Sequence, residues 1–288
     1  MFRALFTAAA LIAANPVFAA FQSDRISVTA EGSGPDVVLI HGLASSTRVW
    51  NGTVERVPGY RYHLVQIAGM GATPAGGNAQ GAVIAPVAEE VARYISEEKL
   101  EKPALIGHSM GGTIAMMVAA RHPKEVGKLM VVDMHPFVGQ LYGGPSANAD
   151  SVRPIADAMR ARSAKATPEE RDRERRTMVT SMINTESERA GPIEDSLASD
   201  PNAVANAFAE LIVTDLRPEL KAITVPTTVL YVTPAGAPFT DEQMDAGYKA
   251  AYADLSGVTL KRVPNAAHFI MLDAPNAFAD EVKAFLAQ

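Results

Sequence analysis

Six residues, Gly107-His108-Ser109-Met110-Gly111-Gly112, separate a short apolar run at 104–106 from a longer one at 113–120. A buried strand that turns into a buried helix over so few residues must fold back sharply. Residues as small as glycine at 107 and 111 let the two backbones meet, and the serine at the apex is held in a strained conformation with its hydroxyl in the open. A chain built around such a junction is committed to strands with helices packed on their faces.

The remaining sequence repeats that pattern. Short apolar runs at 37–40, 62–67, 129–132, 227–232 and 258–263 read as strands, the first of them buried on both faces, and 26–30 alternates weakly. Between most of them lie segments of helical period, at about 47–57, 85–99, 110–121, 241–253 and 276–286. This order predicts an α/β fold with a mostly parallel, doubly wound sheet. The alternation stops between 137 and 220, where the chain turns polar and rich in Arg, Glu and Ala. That stretch is expected to form an inserted helical cap, leaving 21–136 and 221–288 as the core. Mixed charges at helical spacing across 160–176 read as a solvated helix face.

Residues 1–20 have another character. Met1-Phe2-Arg3, the apolar run 4–14 and Val17-Phe18-Ala19 match a signal peptide cleaved after Ala19 or Ala20, which predicts a periplasmic or secreted protein. With no cysteine, the chain uses no disulfides. No later apolar run is long enough to anchor it in a membrane. A net charge of −6 without a basic cluster argues against a nucleic-acid partner. No metal-ligand spacing and no G-x-G-x-x-G after a strand is present, so neither metal nor cofactor is implied.

A serine hydroxyl attacks carbonyl carbon only when a base removes its proton, and six histidines are available. His41 ends a strand, His63 starts one, His108 points away from Ser109 within the turn, and His122-Pro123 marks a helix end. His135 lies two residues past Asp133, within reach of a cleft.

His41-Gly42-Leu43, Gly69-Met70-Gly71, Gly107 to Gly111 and Ala267-His268 together resemble the α/β-hydrolase superfamily in order and approximate spacing, over about 26–288. The resemblance implies His268 as general base, in the loop between the last strand and the last helix. It also implies the backbone N–H groups of Leu43 and Met110 as the oxyanion hole. The family's usual acid position, after the penultimate strand, reads Thr233-Pro234-Ala235-Gly236-Ala237 and holds no carboxylate. Some branches carry the acid one strand earlier, where this chain has Asp133; Asp241 is the rival, better placed to begin a helix. Asp273 is assigned to the last helix. Gln66 and Ala68 replace the Asp and Pro usual before the Gly69-Met70-Gly71 turn, and Met70, Met110 and Met134 are read as core packing.

The implied activity is hydrolysis of a small-molecule carboxylic ester or lactone through an acyl-enzyme on Ser109. Carbon–carbon bond hydrolysis, perhydrolysis and acyl transfer use the same groups. A hydrolase-fold binding protein in which the triad does not assemble is the non-enzymatic alternative. Serine at 109 argues against the dehalogenase and epoxide hydrolase branches, which need an aspartate nucleophile.

Overall fold

The computed structural model describes residues 21–288; the expected signal peptide, residues 1–20, lies outside the described residues. In chain order the core begins with β1 (Ile26–Gly32), β2 (Asp36–Ile40), α1 (Asn51–Arg56), β3 (Arg61–Ile67) and α2 (Ile84–Glu97). It continues with β4 (Ala104–His108), α3 (Met110–Arg121) and β5 (Lys128–Val132). An insertion follows, comprising α4 (Gln140–Gly143), α5 (Ala149–Lys165), α6 (Pro168–Ser181), α7 (Ala190–Ala198) and α8 (Pro201–Val213). The core then resumes with β6 (Thr227–Tyr231), α9 (Asp241–Ala251), β7 (Thr259–Arg262), α10 (Ile270–Asp273) and α11 (Pro275–Leu286).

The strands form one seven-stranded sheet in the order β1-β3-β2-β4-β5-β6-β7. All neighbours are parallel except β1, which pairs antiparallel with β3, Ile26 opposite Ile67. β1 departs from the parallel β-α-β pattern because it is an edge strand with one buried residue, Ile26, and no crossover helix joins it to β2. β2 and β4 are apolar on both sides, as strands sandwiched between helices must be. Val38, Ile40, Leu105, Leu129 and Val131 face α2, α3 and Tyr248 and Tyr252 of the α9 region. Val37, Leu39, Ile106, Met130 and Val132 face Trp50 and the apolar side of α11. Successive residues of a strand point to opposite faces, so each of the strands β2 to β6 feeds both cores. His63 is the third residue of β3, not its first, and is buried between Tyr94 Oη (2.7 Å) and Asp36 Oδ1 (2.9 Å).

The chain leaves β2 toward β3 on one side and leaves β4 toward β5 on the other. Their carboxyl ends therefore open a crevice at the topological switch point, where open α/β sheets bind ligands. Gly42 and Ser109 meet there: a Cβ on Gly42 would lie 3.0 Å from Ser109 Cβ.

Prolines in the insertion start helices more often than they stop them. Pro168 and Pro201 occupy first turns, where no N–H is required, behind the caps Thr167 and Asp200. The insertion is tied to the loops around the crevice. Ser199 Oγ accepts from Gly71 N (2.8 Å), Asp200 N donates to Gly69 O (2.9 Å), and Ser46 Oγ donates to Asp195 Oδ2 (2.5 Å). Glu210 of α8 accepts from the N–H groups of Val83, Ile84 and Ala85, satisfying the open end of α2. The charged run 160–176 is mostly exposed, with one correction: Arg175 is buried and donates to the Ser196 and Ser199 carbonyls at the end of α7. Among the described residues no helix is long and apolar enough to cross a membrane.

Candidate active site

The turn between β4 and α3 has no room for side chains at its glycines. A Cβ at Gly107 would lie 2.2 Å from Gly111 O, and one at Gly111 would lie 2.2 Å from Ile40 O. Ser109 between them adopts φ 55° and ψ −125°, a conformation that L-residues rarely take and that the packed turn enforces. Its N–H donates to Val132 O (2.9 Å), which ties the apex to the end of β5. Among the described residues Ser109 Oγ has no hydrogen-bond partner.

Asp133, immediately after β5, is also left-handed, with φ 50°. Its Oδ2 lies 2.6 Å from His268 Nδ1. A carboxylate accepts, so Nδ1 carries the proton and Nε2 keeps its lone pair, the tautomer a general base needs. Asp133 Oδ1 accepts from Tyr248 Oη (3.1 Å) and Val232 N (3.3 Å). Asp241 is not brought to the imidazole. It occupies the first turn of α9 behind the cap Thr240 and pairs with Arg262 Nη1 (2.7 Å).

The backbone around His268 is held from three directions. Ala267 N donates to Asp273 Oδ2 (2.8 Å), His268 O accepts from His108 Nε2 (2.9 Å), and Phe269 N donates to Met182 O (3.2 Å). Asp273 does not cap the last helix, whose N-cap is Ala274; its carboxylate accepts from the N–H groups of Asn184 and Thr185 as well as Ala267, joining the His268 loop to the insertion. His108 has more part in the site than its place in the turn suggests. Its ring packs 4.7 Å from that of His268 between centroids, and burial drives its pKa well below 6.5, so it stays neutral.

Leu43 and Met110 flank the crevice, and among the described residues no group of the chain accepts from either backbone N–H. The loop carrying Leu43 is braced by Ala44, at φ 51°, whose N–H points to Met70 Sδ (3.3 Å). Gln66 holds the same region: its amide nitrogen donates to Met70 O (3.0 Å) and its Oε1 accepts from Thr47 N (3.2 Å). Met70, Met110 and Met134 are all buried in the core. The Leu43 side chain opens onto a cavity of about 240 Å3 beneath the insertion, lined by Met159, Met178, Val204 and Phe208 with Arg171 at its wall. Among the described residues no group of three or more His, Cys, Asp or Glu could hold a metal ion.

His41 ties two strand ends together. Its Nδ1–H donates to Gly42 O (2.8 Å) and its Nε2 accepts from Ile67 N (3.1 Å). Complete burial pushes its pKa down to about 4. A group depressed in the folded state contributes stability that is whole above its unfolded pKa, near 6.5, and is lost as pH falls toward 4. We expect that loss to reach about 3 kcal/mol from His41. Urea midpoints measured from pH 7 to 4.5 should fall, and the fall should be shallower in His41→Gln. Equal slopes in the two proteins would remove His41 from the explanation.

Residues 37–281 match the model of the alpha/beta hydrolase family. The chain belongs to that family. This hydrolase is 26% identical over 269 residues to a pimeloyl-[acyl-carrier protein] methyl ester esterase of Pectobacterium carotovorum, a match covering 88% of this chain and 96% of that protein. It is 37% identical over 112 residues to the protein of the same name from Aeromonas hydrophila, but that match spans only 38% of this chain and 42% of the relative. An esterase from Exiguobacterium antarcticum superposes on the hydrolase with a TM-score of 0.76 at 22% identity, over 91% of this chain and 96% of that one. At that identity the likeness speaks for the fold.

Proposed function

We propose that this hydrolase cleaves carboxylic esters, with Ser109 as nucleophile, His268 as general base and Asp133 as the acid that orients it. The carrying observation is the 2.6 Å contact of His268 Nδ1 with Asp133 Oδ2, together with a serine held at φ 55° whose N–H is tied to Val132, the residue before Asp133. In the reaction His268 Nε2 takes the Ser109 proton as Oγ bonds to the acyl carbon. The carbonyl oxygen, now negative, accepts from Leu43 N–H and Met110 N–H. Collapse expels the alcohol, which leaves with the proton from His268. Water, deprotonated by the same imidazole, then releases the acid and restores the serine.

The relatives' name suggests the substrates to offer first: methyl esters of medium-length acyl groups, alongside short-chain esters, long-chain esters and lactones. The test is turnover of that panel together with labelling by a fluorophosphonate. Labelling of wild type and not of Ser109→Ala supports the reading, while labelling of neither would leave a binding protein. The proposal extends to location: the pattern of residues 1–20 supports export. Fractionation of cells expressing the full-length chain should find the protein shortened and outside the cytoplasm, and full-length protein in the cytoplasm would refute it.

A further inference from the structure

Asp133 uses one carboxylate oxygen on His268. A carboxylate held through one oxygen can rotate about its Cβ–Cγ bond, so its alignment depends on what binds the other. Val232 N–H reaches Oδ1 at a long 3.3 Å, and the shorter contact, 3.1 Å, comes from the Tyr248 hydroxyl. We propose that Tyr248 of α9 is a positioning residue for the reaction, its O–H locking Oδ1 of Asp133 so that Oδ2 faces Nδ1 of His268. This rests on the triad reading above.

Tyr248 has little freedom to do otherwise. It is 3% exposed, and its ring lies between Tyr231, 4.0 Å away between centroids at 15°, and His135, 4.3 Å away at 30°. Burial, followed by the charge of Asp133, raises its pKa well above 10, so it stays a proton donor wherever the imidazole titrates. The neighbouring phenol of Tyr252 differs: it donates to Met134 O (2.6 Å) and not to the carboxylate. The titratable groups around the pair are Tyr248 and Tyr252 from the α9 side, Tyr231 of β6 with Asp245 on its hydroxyl, His135 beyond β5, and His108 behind His268.

The test compares Tyr248→Phe with Tyr252→Phe in the whole protein. Tyr248→Phe keeps the ring stack and loses only the donor. Its kcat should fall about 10-fold with KM within about 2-fold. As the loosened carboxylate holds imidazolium less well, the acid limb of kcat/KM should move to lower pH by about half a unit. Tyr252→Phe deletes an equally buried hydroxyl and should leave that limb in place. A Tyr248→Phe enzyme with the wild-type kcat and limb, or two variants that behave alike, would overturn the inference. Asp133→Asn separates the two levels: unchanged turnover there overturns the triad reading and this inference with it. A crippled Asp133→Asn beside an unaffected Tyr248→Phe overturns the inference alone.

Discussion

Ser109→Ala is expected to lower kcat by about 10^6-fold while the protein stays folded. The structure explains both halves. Ser109 Oγ bonds nothing else among the described residues, so its removal breaks no contact, and the strained backbone is carried by Gly107 and Gly111, which remain. On the proposed mechanism, loss of the oxygen prevents the acyl-enzyme, and what should survive is the modest catalysis that the Leu43 and Met110 N–H groups would give to attack by water. A variant that retained more than about one per cent of wild-type kcat would mean that the nucleophile lies elsewhere.

Asp133→Asn should cost about 10^4-fold in kcat, close to the loss known when a triad acid becomes an amide. The contacts make the reason specific. Tyr248 O–H and Val232 N–H both donate toward Oδ1, so an asparagine keeps its oxygen there and turns its NH2 to His268. Nδ1 must then accept, the proton moves to Nε2, and the imidazole can no longer take one from serine. Asp241→Asn should leave kcat within about 2-fold, because Asp241 pairs with Arg262 and not with the imidazole. The reverse ranking, measured by steady-state kinetics on one ester, would return the acid to the loop after β6.

Much of the core could be read from pattern, because buried parallel strands must be apolar on both faces and the runs at 37–40, 104–106 and 129–132 have no other use. The direction of β1 could not. A strand with one buried residue carries no signal for whether it runs parallel or antiparallel, and pairing with β3 decides it. The same holds for Asp273 and His108. Each looked local in sequence, yet one reaches Asn184 and Thr185 and the other the carbonyl of His268. Tyr248 on α9 drew no role from the sequence, because the carboxylate its hydroxyl meets lies 115 residues away along the chain.

The sequence by itself determined where a strained serine must sit, since only residues without side chains permit a strand and a helix to touch at 107 and 111. It also determined which segments are strands and where the alternation breaks off. Only the tertiary structure decided which carboxylate meets His268. Asp133 and Asp241 carry the same side chain, and the choice is made by the order of strands, which brings the end of β5 beside that of β4, while Asp241 pairs with Arg262. Local chemistry is written in neighbouring residues; convergence of distant ones depends on how the sheet is assembled.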